Sequence, residues 1–172
     1  MSRPTRRDND RTVPLLSIES MADRNDLLPV VATWHWNEWR YVDPSGSLRS
    51  WTKRLAGNTN RDRIPTSYVA MVKGEPVGSV VLVEHDMPDR QDLAHLSPWL
   101  AGLFVLPSYR RNGIGSRLIR HAESEAMRFG ADQLYAYTST VPDLYGRFGW
   151  ESIVETAYQG SDVTILSKPL AH

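Results

Sequence analysis

Apolar and polar residues along the chain follow two periods, one near 3.6 and one of 2, which divide it into helices and strands. Val13 to Ile18 is expected to form a first strand, with Pro14 tolerable only at its start or on an edge. A helix is expected from Asn25 or Asp26 to Trp39, with Pro29 in its first turn, and a second from Ser47 to Ala56, stopped by Gly57. Asn58 to Pro65 is a polar connector. Ser67–Val72 and Val77–Glu84, joined by Lys73-Gly74-Glu75-Pro76, predict a hairpin. Asp86 to Pro98 is acidic and holds two prolines, which predicts a surface loop. Trp99 to Leu106 is nearly all apolar, the pattern of a strand buried on both faces. From Gly113 to Phe129, Ile114, Leu118, Ile119, Ala122, Ala126 and Phe129 share one helix face, and Gly130 caps it. A strand at Gln133–Tyr137, a helical turn or two at Asp143–Phe148, and strands near 150–157 and 162–167 complete the pattern. The order is mixed α/β, with one strand–helix–strand unit at residues 99–138.

The length of 172 residues suits one domain. Residues 1–12, with four Arg and two Asp, are expected to be a disordered tail before a single domain over 13–172. Twenty basic residues balance twenty acidic ones, so the total charge gives no support to a nucleic-acid or membrane-surface binder. There is no cysteine, which excludes disulfides, thiolate metal sites and a protein-thiol nucleophile. The five histidines lack metal-ligand spacing, so no metal is expected. No signal-peptide pattern and no long apolar run occur, and a soluble cytoplasmic protein is the default expectation.

The segment from Leu103 to Ser116 carries the most chemistry. An apolar strand ends, Arg110, Arg111, Gly113 and Gly115 follow, and an amphipathic helix begins. Glycines let backbone N–H groups approach an anion, and the helix start adds roughly half a positive charge. A tight turn with a solvated arginine face is the plain alternative. A P-loop would need Gly-Lys-Ser/Thr, which is absent, and a dinucleotide fingerprint would need glycine where Leu118 stands. The pattern that fits is Arg-x-x-Gly-x-Gly, from Arg110 to Gly115.

With that turn the chain resembles the GNAT superfamily of acyl-CoA-dependent N-acyltransferases. The resemblance covers most of residues 13–168 in order of elements, with specific motifs in 99–150. It implies a mixed, mostly antiparallel sheet, splayed at the cofactor-binding strand and flanked by helices on both faces. It also implies acetyl-CoA as acyl donor. Backbone N–H groups of Arg111, Asn112, Gly113, Ile114, Gly115 and Ser116 would hold its pyrophosphate, with Arg110 opening the turn. The backbone of Leu103, Phe104 and Val105 would pair with the pantetheine arm as an added strand. Leu144-Tyr145-Gly146-Arg147-Phe148-Gly149 is similar to a second family segment, and Tyr145 falls at the tyrosine near the CoA sulfur. The implied reaction is direct attack of a primary amine on the thioester, without a covalent enzyme intermediate.

One departure from the family concerns the base. Some members carry a glutamate six residues ahead of the position of Val105, where this chain has Trp99. The base must then be water or another residue. Glu84 is the favoured candidate, His85 is next, and His95 is weaker. Trp36 and Trp39, three residues apart, can share a helix face. With Trp99 they are candidates for the acceptor site, as an aromatic wall for a cationic amine, and core packing is the plain alternative. Glu38, Asp43, Glu84 and Asp86 could supply complementary charge. The resemblance implies a small-molecule or peptide amine as acceptor, and a homodimer is left open. Two other functions remain: a CoA-binding module without catalysis, and transfer of another acyl group or to a hydroxyl.

Overall fold

The computed structural model describes residues 15–139 and 145–171. The expected tail at 1–12, the start of the first expected strand at Val13-Pro14, and Asp143-Leu144 lie outside the described residues. Seven strands form one sheet: β1 (Leu16–Ser20), β2 (Thr66–Val72), β3 (Glu75–Val83), β4 (Trp99–Val105), β5 (Gln133–Thr138), β6 (Glu151–Tyr158) and β7 (Ser161–Pro169). Their spatial order is β1-β2-β3-β4-β5-β7-β6, and every pairing is antiparallel except β4 with β5.

The period of two along each strand sorts side chains to two faces. Tyr68, Ala70, Val80, Leu82, Leu100, Leu134, Ala136 and Leu166 face α3 (Ile114–Arg128), which lays Ile114, Leu118, Ile119, Ala122 and Ala126 on them. On the other face, Val69, Met71 and Val81 meet Val31 and Ala32 of α1 (Leu28–Trp39) and Leu55 of α2 (Leu48–Ala56). Ser47 caps α2 in a reciprocal pair with Ser50, so both orphan donors are satisfied, and Gly57 ends the helix as expected. Helices therefore cover both faces of a mostly antiparallel sheet.

Three expectations change. The first strand runs from Leu16 to Ser20 rather than ending at Ile18, because its pairing with β2 continues to Ser20 opposite Tyr68. The 86–98 segment is more than a surface loop. Met87, Leu93 and Leu96 are buried and form a third cluster with Trp99, Tyr158, Val163 and Ile165. Strand β4 is buried only at Trp99 and Leu100; Ala101 to Val105 are half-buried because one side opens into a cleft.

That cleft follows from the pairing of β4. It bridges β5 only at Trp99–Tyr135, so beyond that point the two parallel strands diverge. A bulge also breaks its register with β3: Val81 pairs Ala101, but Ser79 pairs Phe104, so three residues of β4 span two of β3. Gly102 sits in the bulge at φ +56°. Beyond it Leu103 and Val105 turn to the α3 side, while Phe104 stacks on Trp34 of α1 at 5.5 Å.

Candidate active site

Between the diverging strands lies a cavity of about 1600 Å³, and its lining joins many of the residues singled out in the sequence, though not Asn112, Trp36 or Trp99. Arg110, Arg111, Gly113, Ile114, Gly115 and Ser116 line one end, Leu103, Phe104 and Val105 one wall, and Tyr145 and Glu84 the interior and rim. Arg111 (φ +64°) and Gly113 (φ +78°) are both left-handed, which folds the backbone around Asn112 into a concave turn. Asn112 Nδ2 donates to the carbonyls of Tyr109 and Arg110 and fixes that turn. A Cβ on Gly113 would meet nothing within 4 Å, so the space before it is open to a ligand. Ile114, Gly115 and Ser116 form the first turn of α3, where N–H groups have no acceptor within the helix. Arg110 does not point away from the protein: its Nε donates to Val105 O (2.9 Å), and its guanidinium lies 5.8 Å from the Phe104 ring. Together, arginines, free N–H groups and an unpaired strand edge suit an anionic group followed by an amide-bearing arm, which is the chemistry of CoA.

Behind the bulge is a buried polar relay that the sequence did not suggest. Ser79 Oγ donates to Gly102 O (3.1 Å), which leaves the serine oxygen itself to accept from His35 Nε2–H at 2.7 Å. Burial pushes His35 down to about 4, so the ring is neutral at pH 7. His35 also packs edge-on against Trp39 one turn further along α1 (5.1 Å), and its bond to Ser79 ties the helix to the cleft wall.

The tryptophans divide. Trp39 lines the cleft and meets Phe104 edge-on at 6.4 Å. Trp36 lies under the Arg40 guanidinium at 5.0 Å and is not among the lining residues. Trp99 is 1% exposed, donates to Leu96 O (2.6 Å) and belongs to the third core cluster. Tyr145 is buried, edge-on to Trp150 at 5.4 Å, and burial together with the charge of Asp86 holds its hydroxyl neutral well above its ordinary range. Trp150 is fixed in turn by Glu123, whose carboxylate accepts from Trp150 Nε1 (2.9 Å) and Lys168 Nζ (2.8 Å). Glu84 is exposed at the rim and accepts from Ser97 Oγ (2.9 Å), beside an exposed His85. His95 is exposed on the same connection and is not among the lining residues. Among the described residues, no group of three or more His, Cys, Asp or Glu is placed to hold a metal. No described helix is long and apolar enough to cross a membrane.

A family model described as the acetyltransferase (GNAT) family matches residues 28–150. The chain belongs to that family. No curated protein matches it by sequence. Solved structures with the same GNAT fold include an aminoglycoside 6'-N-acetyltransferase complexed with coenzyme A, with a TM-score of 0.69 and 17% identity, covering 91% of this chain and 98% of that one. An N-acetyltransferase from Staphylococcus aureus Mu50 gives a TM-score of 0.69 at 15% identity, covering 91% and 99% of the two chains. The ribosomal-protein-S18-alanine N-acetyltransferase from Escherichia coli gives 0.61 at 17% identity, covering 92% and 96%. At these identities the likeness is one of fold. The GNAT match spans α1, the bulged β4, the Arg110–Ser116 turn and the segment carrying Tyr145, and so all of the cleft lining but Tyr158 and Gln159.

Proposed function

We propose that this GNAT protein transfers the acetyl group of acetyl-CoA directly to a primary amine of a small molecule or peptide, without a covalent enzyme intermediate. The observation that carries the reading is that the Arg110–Ser116 turn, the unpaired edge of β4 and Tyr145 line one continuous cavity. The turn would hold the pyrophosphate through backbone N–H groups, and Leu103, Phe104 and Val105 would pair with the pantetheine arm. An amine approaching from the α1 side, past Trp39, meets the thioester between the strands. Two neighbours by fold act on amines in their printed names, an aminoglycoside and an alanine of ribosomal protein S18.

The amine reaches the enzyme as an ammonium and must lose a proton before its lone pair can attack the thioester carbonyl. A carboxylate of the β3–β4 connection takes that proton, and Glu84 is the candidate from sequence. A carbon–nitrogen bond then forms while the carbonyl π pair moves onto oxygen, where backbone N–H of the β4 edge stabilises it. As the carbon–sulfur bond breaks, the sulfur takes up its electron pair. The second nitrogen-bound proton reaches sulfur through the Tyr145 hydroxyl, which gives one proton and receives another. The products are the acetamide and CoA thiol, with one proton released.

The test is incubation with acetyl-CoA and a panel of kanamycin, spermidine and an alanyl tripeptide, read by mass spectrometry and by thiol release. An acetamide product supports the transferase. Stabilisation by acetyl-CoA without any acetylated amine supports the other reading, a CoA-binding module. The G113D variant places an anion at the turn and should abolish stabilisation by acetyl-CoA while leaving the fold intact.

A further inference from the structure

Two residues beyond Glu84, the chain turns inward. Asp86 lines the cavity, and the buried Met87 next to it pins the connection into the third core cluster. Among the described residues, Asp86 has no hydrogen-bond or ion-pair partner, and burial alone shifts its titration. The neighbouring acids differ. Glu84 is bonded to Ser97, while Asp89 accepts from Tyr158 Oη (2.7 Å) and Gln159 Nε2 (3.4 Å). The charge of Asp86 acts on three phenols from three other segments: Tyr137 of β5, Tyr145, and Tyr158 of β6. It therefore shares a chamber with the hydroxyl proposed to serve the sulfur. A half-buried carboxylate with no bonded cation is costly unless something arriving there supplies one.

We infer that Asp86, rather than Glu84, takes the proton from the acceptor's ammonium nitrogen. This inference rests on the proposed acetyl transfer. The step converts a carboxylate and an ammonium into a carboxylic acid and a free amine. The amine lone pair then attacks the thioester, and Asp86 later returns its proton to water.

The chemistry favours this residue over its neighbour. An ordinary aspartate near 4 is about six units below an alkylammonium and is a weak base toward it. Burial raises Asp86 to about 8, which removes most of that gap. Among the described residues no cation is bonded to it, although Arg54 and Arg147 line the same cavity. Tyr137 and Tyr145 are held neutral by burial, and Tyr158 is pushed up to about 12. Tyr41, Glu84, His85, Asp89, Arg54 and Arg147 are further titratable or charged groups of the same cavity lining. In the free enzyme the carboxylate form is gained as pH rises through about 8, so kcat/KM should climb through that range and fall once the free amine loses its own proton.

The experiment compares wild type, D86N, D86E and E84Q in acetyl transfer to the fastest amine of the panel across pH 6 to 10. Acetyl-CoA thermal stabilisation is measured on each as a check of fold and donor binding. D86N should lower kcat/KM by roughly 10²–10⁴ and lose the rising limb while keeping that stabilisation, and D86E should restore part of both. Transfer by D86N at the wild-type rate would overturn the inference, as would E84Q alone losing the limb. If D86N does not fold, carbon-13 titration of the wild-type aspartate carboxyls decides: a carboxyl titrating near 8 in step with Tyr145 supports the assignment, and none above 6 overturns it. Wild type that acetylates no amine while still binding acetyl-CoA would instead sink the transferase reading, and this inference with it.

Discussion

Replacing Gly102 by alanine tests the bulge that shapes the cleft. At φ +56° any L side chain suffers left-handed strain of about 1–2 kcal/mol. The added Cβ would also sit 2.7 Å from Val81 Cγ2 and 3.1 Å from His35 Cε1. Neither neighbour can withdraw freely, because Val81 lies in the sheet and His35 is bonded to Ser79. Overpacking of that kind costs about 1–3 kcal/mol more. A total near 3 kcal/mol corresponds to a fall in Tm of about 6–12 °C for a domain of this size. Gly74 is a matched comparison: it is left-handed at φ +79°, but its Cβ would meet nothing within 4 Å, so G74A should show the strain alone. Urea unfolding of both variants separates the two contributions. A shift at the bulge also moves the Leu103 and Phe104 backbone, so kcat/KM should fall on the order of 10- to 100-fold in G102A and not in G74A. If G102A costs no more than G74A, the bulge is not held by the crowding described here.

Tyr145→Phe keeps the ring and its contact with Trp150, so Tm and acetyl-CoA stabilisation should hardly change. One charge-assisted hydrogen bond to the departing sulfur is lost, which predicts a 10- to 150-fold drop in kcat with little change in KM; a full rate would make Tyr145 structural. His35, lowered in the fold to about 4 against about 6.5 unfolded, binds its proton more readily in the unfolded chain. Its contribution to stability is therefore full above pH 6.5 and falls by about 3 kcal/mol as pH drops to 4. That slope in a pH series of denaturation midpoints should be absent from His35→Gln. Glu123→Ala leaves Lys168 and the Trp150 indole without their shared acceptor and should cost about 3 kcal/mol; a loss under 1 kcal/mol would mean that water replaces the carboxylate.

What could be read from sequence was what is local. Arg110 to Gly115 is a contiguous run in which Gly113 permits one of the two left-handed positions, the other falling on Arg111, and the periodic face of α3 followed from six apolar positions. The bulge relay could not be read. His35 and Ser79 are 44 residues apart and Ser79 and Gly102 are 23 apart; the packing of α1 on the sheet and the register of β3 on β4 bring them together. Gly102 in an apolar strand was the one available signal, since a glycine there marks a bulge or a close approach. The acidic composition of 86–98 hid Met87, Leu93 and Leu96, whose burial follows from no short-range period. The continuous apolar run of β4 suggested burial on both faces, because a strand beside a cleft carries the same residues as one beside a partner. Spacing alone also gave Trp36 and Trp39 a shared role, whereas the fold sends one to Arg40 and the other to the cleft.

The single bridge between Trp99 and Tyr135 makes the sheet mechanically bipartite. Strands β1 to β4 with α1 and α2 form one block, and β5, β7 and β6 form another. They are joined at that bridge, at the Tyr135 N–H bond to Pro98 O (3.0 Å), by side chains of the third core cluster and the bonds of Asp89 and Arg90 to β6, and by α3 lying across both. Few backbone hydrogen bonds cross this seam, so the two blocks are natural units of partial opening. A molecule seated along the seam would act as a clamp, and its binding energy would enter as cooperativity between the blocks. Amide exchange should then show β5 and β7 opening before β2 and β3 in the free protein, and the two halves moving toward a common opening free energy once acetyl-CoA spans them.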